Sequence, residues 1–159
     1  MVRPAEKNDI PRLLELLLQV GEVHHTIRPD IFRAHPCKYD APALEALLKD
    51  ERRPIFVLEE QGSVLGYAFC VLKETQNDPV LRDRKTLYID DLCVDRTSRG
   101  RHVGSQLYAH VCRYAKQLGC DSVTLNVWCG NDGAMAFYQK QHMKPRNICM
   151  EYVLDDADD

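Results

Sequence analysis

The sequence predicts one α/β domain: a mixed, mostly antiparallel sheet with helices on both faces. Three observations lead there. At 159 residues, 45% hydrophobic and 28% charged, the chain has the composition of a soluble globular protein and the length for one sizeable core. Apolar residues recur at helical spacing in two long segments, 9–23 and 105–118, and the stretches between them hold short β-rich runs. The connections also differ. EEQGS at 59–63 is a hairpin signal, so its flanking strands are antiparallel, while the strands around 105–118 need that helix as a crossover and are parallel.

In chain order, Met1–Arg3 reads as a short first strand. Asp9–Val23 is a strong helix with Ile10, Leu13, Leu14, Leu17, Leu18 and Gly21 on one stripe, Glu6 or Asn8 as its cap, and Asp9 in the favourable first turn. About twenty residues without periodicity follow, a length typical of functional or mobile loops. Ala43–Lys49 is a short helix, Pro54–Glu59 and Val64–Lys73 are the hairpin strands, and Glu74–Arg84 is a second long polar loop. Thr86–Val94 is a strand. Ser105–Leu118 is a helix with Leu107, Val111, Cys112, Ala115 and Leu118 inward, and Gly119 ends it. Ser122–Trp128 is a strand, Asp132–Gln141 a short helix, and Asn147–Leu154 a sixth and last strand. The domain is expected to span 1–154, with Asp155–Asp159 as an acidic tail.

The formal net charge of −3 and the lack of a basic stripe interleaved with aromatics argue against nucleic-acid partners. The seven cysteines are odd in number and form no C-x-x-C pair. They read as reduced thiols of a cytoplasmic protein rather than a disulfide frame or zinc site. MVRPAEKND is not a signal peptide, and Glu15 and Gln19 break the longest apolar run, so no membrane segment is expected.

The most informative stretch is Tyr88–Tyr114. A strand-like segment, YIDDLCV, breaks into DRTSRGRHVGS, which opens directly into an amphipathic helix. The first turn of a helix has N–H groups without intrahelical partners, and its dipole adds partial positive charge. Arg96, Arg99 and Arg101 add full charges beside it. The simplest reading is a pyrophosphate cradle. Neither G-x-x-x-x-G-K-[ST] nor G-x-G-x-x-G is present, so other nucleotide-binding folds rank last.

Two patterns now stand in topological order. Val94–Leu107 (VDRTSRGRHVGSQL) resembles the pyrophosphate motif of the GNAT superfamily of acyl-CoA-dependent N-acyltransferases. That motif is Arg or Gln, two residues, Gly, one residue, Gly or Ala. Arg99 fills its first position and Gly104 its last, while His102 stands where the middle glycine belongs. Asn131, Ala134 and Phe137-Tyr138 match the N-x-x-A-x-x-F/L-Y helix of the same family, followed by His142 and Met143 where a Gly-Phe pair is usual.

The resemblance implies a GNAT-like fold in which two neighbouring parallel strands, Thr86–Val94 and Ser122–Trp128, splay apart around an acyl thioester. Acetyl-CoA is the implied co-substrate and an amine the implied acceptor, with no metal. Backbone groups of Leu92, Cys93 and Val94 would pair with the pantetheine arm. Amides from Arg99 through Ser105 (Arg99, Gly100, Arg101, His102, Val103, Gly104, Ser105) would hold the pyrophosphate, with Arg96 or Arg101 on the 3′-phosphate. If His102 already sits at the helix start, its backbone can be ordinary. Asn131 would bond the cofactor's amide arm or cap its own helix. Tyr138 is the expected acid toward the departing thiolate.

A base must take the amine's proton. Strand alternation puts Tyr88, Asp90, Leu92 and Val94 on one face. By resemblance, since an acid or imidazole often stands at this position in the family, Asp90 is the expected base, reaching the acceptor through water, or else a carboxylate that attracts a cationic acceptor; Asp91, pointing the other way, is expected to make a structural hydrogen bond. By resemblance the acceptor pocket draws on the loop after the first helix, here holding Glu22, His24, His25, Arg28, Asp30 and Phe32; Tyr67 and Trp128 are either aromatic walls or core. The acidic residues suit a cationic amine, small molecule or peptide. Homodimers are common in the superfamily. The expected function is acetyl transfer to a primary amine by direct attack in a ternary complex. The alternative is a non-catalytic module that binds acyl-CoA.

Overall fold

A computed structural model describes residues 1–154; the expected acidic tail, 155–159, lies outside the described residues. Five strands form one sheet in chain order: β1 (Val2–Pro4), β2 (Ile55–Glu60), β3 (Ser63–Thr75), β4 (Arg84–Val94) and β5 (Ser122–Leu125). The first three pairings are antiparallel and β4–β5 is parallel. Gln61 and Gly62 turn the β2–β3 hairpin with φ of +50° and +77°. Two left-handed residues in a two-residue loop match the natural twist of antiparallel strands.

The helices divide between the two faces. On one lie α1 (Ile10–Ile27) and α2 (Ala41–Leu47), whose Ile10, Leu13, Leu17 and Leu44 pack on Val57, Tyr67, Phe69 and Cys93. On the other lies α3 (Val103–Gln117), whose Val103, Leu107, Val111 and Ala115 pack on Phe56, Leu58, Ala68, Leu87 and Ile89. The last helix, α4 (Asp132–Lys140), packs at the start of α3, where Phe137 approaches Gly104. Each buried Leu or Val contributes roughly 1.5–3 kcal/mol relative to exposure.

Four expectations need correction. The α1 stripe buries Leu16, not Leu18, which is exposed. This helix runs one turn further than its apolar pattern suggested, so His24 and His25 sit in its last turn rather than in the loop. Strand β5 ends at Leu125, three residues before Trp128. Residues 147–154 form no strand: the sheet ends at β5, and this segment is paired with no strand among the described residues.

Candidate active site

The β4–β5 ladder runs from Thr86–Ser122 to Ile89–Leu125 and stops. Strand β4 continues to Val94, still paired with β3 through Ala68–Leu92, Tyr67–Cys93 and Gly66–Val94. Its other edge is therefore unpaired over Asp90–Val94. Backbone groups along that edge have the spacing of an unfilled ladder, the geometry an extended amide chain can occupy.

The open edge leads into the Arg-rich loop. Asp95 organises it: its Oδ1 accepts from Thr97 N–H at 3.0 Å and from Thr97 Oγ1 at 3.1 Å, and its other oxygen pairs with Arg12 of α1. Bonding to the Thr97 amide, with help from Arg12, holds the Asp95 carboxyl below the usual carboxylate range. Beyond this turn, the amides of Arg99 through Ser105 donate to no backbone oxygen among the described residues, and the α3 ladder begins with Gln106 N–H to His102 O at 3.1 Å. Gly100 and His102 have φ of +78° and +60°. His102 thus adopts the left-handed backbone that the usual glycine would supply, not an ordinary helical one. His142, at the other departed glycine, has φ of +66°. Each costs roughly 1–2 kcal/mol for a residue with a Cβ. Gly104 is required by a close approach: a Cβ there would lie 3.2 Å from Phe137 Cζ. Glu22 and Glu60 engage Arg96 and Arg101 at 3.3 and 2.6 Å. Arg99 has no carboxylate partner among the described residues, and it borders an open cavity of about 280 Å³ with Gln19, Glu22, Val23, Thr26 and Arg96.

Where the strands part, a bulge changes the faces of β4. Phe69 opposes Asp91 and Cys70 opposes Ile89, so Asp90 has no partner across β3. The extra residue reverses the alternation. Leu87 and Ile89 face α3 before it; Leu92 and Val94 do so after it, while Cys93 joins the α1 side. The expectation that Tyr88, Asp90, Leu92 and Val94 share a face fails for this reason.

The two carboxylates then have separate surroundings. Asp90 is held by Lys38 from the α1–α2 loop at 2.7 Å. Asp91 accepts a 2.8 Å hydrogen bond from the hydroxyl of Tyr67, which is fully buried. Desolvation pushes Asp91 up to about 6, against the lowering effects of the Tyr67 bond and Lys38. On α4, burial raises the phenol of Tyr138 well above its ordinary value, and the Asp91 charge adds to this. Tyr138 therefore stays protonated at neutral pH. It packs by Phe137 and Tyr108, with ring centroids at 5.0 and 6.3 Å. Asn131 caps α4, accepting from Ala134 N–H at 3.2 Å, so its carbonyl is occupied while its NH₂ remains available.

The family model described as the acetyltransferase (GNAT) family matches residues 20–143, a span holding the open β4 edge, the Arg-rich loop, both carboxylates and α4. The chain belongs to the GNAT acetyltransferase family. It superposes on a mutant of the BH1408 protein of Bacillus halodurans with a TM-score of 0.92 and 32% identity, covering 97% of this chain and 99% of that one. An uncharacterized N-acetyltransferase of Methanocaldococcus jannaschii is 29% identical over 102 residues, 64% of this chain; the match spans 44% of that relative's length. An aminoglycoside N-acetyltransferase solved in complex with CoA shares the fold, with a TM-score of 0.71 at 15% identity and coverage of 98% and 99%.

In this GNAT protein the loop after α1 packs against the last turn of α1 and against Trp128. His24 stacks on Phe32 with centroids 5.0 Å apart, Phe32 meets Trp128 edge-on at 5.1 Å, and His25 Nδ1 lies 2.7 Å from Phe32 O. Burial, then the charge of Lys38, pulls His24 below the ordinary imidazole value. Arg28 and Asp30 pair with each other at 2.6 Å. Among the described residues no group of three or more His, Cys, Asp or Glu is arranged to hold a metal ion, and no helix is long and apolar enough to cross a membrane. Sequence reasoning missed Lys38, for which no signal exists, and the contact of Tyr67 with Asp91, which arises only because the bulge turns Asp91 toward α1.

Proposed function

We propose that the protein transfers an acetyl group from acetyl-CoA to a primary amine by direct attack in a ternary complex. One observation carries the reading: an unpaired β4 edge, Asp90–Val94, leads through the short turn at Asp95–Ser98 to seven consecutive amides, Arg99 to Ser105, that lack backbone acceptors among the described residues. An amide-bearing arm ending in a diphosphate is complementary to that pair of features, and the left-handed Gly100 and His102 turn successive N–H groups inward. Leu92, Cys93 and Val94 would align the arm, Arg99 through Ser105 would hold the diphosphate, and the NH₂ of Asn131 remains for an amide oxygen. When bound, acetyl-CoA supplies the activated acyl group.

Asp91 takes the proton of the attacking amine, directly or through one water. A carboxylate near pH 6 is a stronger base than an ordinary aspartate yet is ionised at pH 7. Asp90, the base expected by resemblance, is engaged by Lys38; with Asp91 it supplies negative charge for a cationic acceptor. Tyr138 donates its hydroxyl hydrogen toward the departing sulfur. The test is continuous detection of free thiol with acetyl-CoA and a panel of primary amines. Amine-dependent thiol release supports the reading. Tight CoA binding with no release across the panel would replace it with the acyl-CoA-binding module.

A further inference from the structure

With a diphosphate at Arg99–Ser105 and its arm beside Leu92–Val94, the direction of β4 puts the acyl group of a bound thioester at the Asp90–Asp91 end, just past the stop of the β4–β5 ladder at Ile89. An amine of the chain itself already stands at that end. Lys38 Nζ lies 2.7 Å from Asp90 Oδ2, and it is the only side-chain cation paired with either carboxylate among the described residues. Asp91 is close enough for its charge to act on both Lys38 and the phenol of Tyr138. Amine, base and acid are thus within electrostatic reach of one another.

The segment that delivers Lys38 has freedom to adjust. Residues 33–39, between α1 and α2, make no backbone–backbone hydrogen bond among the described residues. Side chains anchor the segment instead: Tyr39 stacks on Phe69 with ring centroids 5.8 Å apart. The Lys38 side chain is half-exposed, and its four-carbon stem is flexible. Two other lysines are engaged far from the carboxylate pair, Lys7 with Glu45 at 2.9 Å and Lys85 with Glu74 at 3.6 Å.

We propose that Lys38 is a self-modification site: the protein transfers an acetyl group from acetyl-CoA to the Lys38 amine of the same molecule. This rests on the acetyl-transfer reading above. Asp91 takes one proton from the ammonium, and the neutral nitrogen attacks the thioester carbonyl carbon. The C–N bond forms, the C–S bond breaks, and the departing sulfur takes the hydroxyl hydrogen of Tyr138. A second proton leaves the nitrogen and restores the phenol, while the first passes from Asp91 to solvent. The products are Nε-acetyl-Lys38, the free CoA thiol and one proton. Against the desolvation that would favour the free amine, the Asp90 bond and the Asp91 charge hold Lys38 as an ammonium above its ordinary value. Its neutral fraction at pH 8 is therefore below about 1%. The step is accordingly slow, and it occurs once per molecule. Proximity offsets part of this cost, because the amine is already held at the site. Acetylation then removes the positive charge and leaves Asp90 without the cation that engages it.

The test is residue-resolved mass spectrometry of the full chain incubated with acetyl-CoA and no added amine, with the thiol-release amine panel run in parallel. Lys38 should gain one acetyl group at least about 10-fold faster than Lys7 or Lys85, at a first-order rate that does not change with protein concentration. Lys38→Arg keeps the positive charge and should abolish the fast addition. Asp91→Asn and Tyr138→Phe should each slow acetylation of Lys38 by on the order of 10²-fold and leave Lys7 and Lys85 unaffected. Lys38 modified no faster than those two lysines overturns the proposal. So does a rate per molecule that rises with protein concentration, or fast modification undiminished in both variants. Amine-dependent thiol release beside an unmodified Lys38 overturns this inference alone. An unmodified Lys38 with no thiol release across the panel overturns the acetyl-transfer reading as well.

Discussion

In the proposed function, the bulged carboxylate pair sets the chemistry at the scale of single residues. A base works only when ionised, so kcat/KM should rise with pH through the Asp91 value near 6 and then level until another group intervenes. Tyr67→Phe removes a hydrogen bond that favours the ionised form, so this acid limb should move to higher pH with a smaller change in the plateau. Asp91→Asn should cost on the order of 10²-fold in kcat and abolish the limb, while Asp90→Asn should act mainly through KM for a cationic amine; pH profiles of the three variants check these assignments. Tyr138→Phe should lower kcat by on the order of 10²-fold with little change in KM, as expected for a donor used only when the sulfur departs. A Tyr138→Phe enzyme with native turnover would assign that ring to packing alone. Asp91 also has a stability signature. Its folded value lies above that of an unfolded aspartate, so the native fold prefers the protonated form; that contribution is complete below about pH 4 and is lost as pH rises through 6. Asp91→Asn should therefore be more stable than the native protein at pH 8, by on the order of 2 kcal/mol, and equal to it in acid. Thermal melts at the two pH values measure this.

At the scale of elements, most of the pattern is legible in the sequence, and the failures share a cause. Helices α1 and α3 announce themselves because one-sided burial imposes a 3.6-residue period over four turns. The hairpin is legible in Gln61-Gly62, and the end of α3 in Gly119. The run of unpaired amides ahead of α3 is legible because free helix-start amides are a local property of the chain. The β4 bulge is not, since alternation holds in both halves of the strand and the break lies in its register with β3. Lys38 reaches Asp90 across 52 positions, and no local pattern predicts such a pairing. Residues 147–154 carry a true strand pattern, yet a strand needs a neighbour, and their own sequence does not say which one. The two histidines in left-handed conformation yield a test at this scale. His102→Gly and His142→Gly should each stabilise the fold by up to about 1 kcal/mol, the relief of strain being partly offset by the extra freedom of glycine when unfolded. Denaturant titration at unchanged m-value would show it. Gly104→Ala should act oppositely, displacing Phe137 and weakening the packing of α4 on α3.

Over the whole molecule, the sheet converts two incomplete pairings into one site. The ladder between β4 and β5 ends at Ile89, the chain of β4 runs on to Val94, and the loop at 95–102 carries it from that free edge to the start of α3. Helices α1 and α2 occupy one face and α3 the other, and Asp91 is near enough to Tyr138 for its charge to raise the phenol further. Nothing in this arrangement requires a large motion to admit a linear ligand, because the open edge is already extended. The most direct test is amide chemical-shift mapping of the native protein titrated with CoA. The account predicts saturable shifts concentrated in Leu92–Val94 and Arg99–Ser105, with the largest along the seven loop amides. Saturable binding whose shifts fall elsewhere, or no shift in either segment at millimolar CoA, would contradict it.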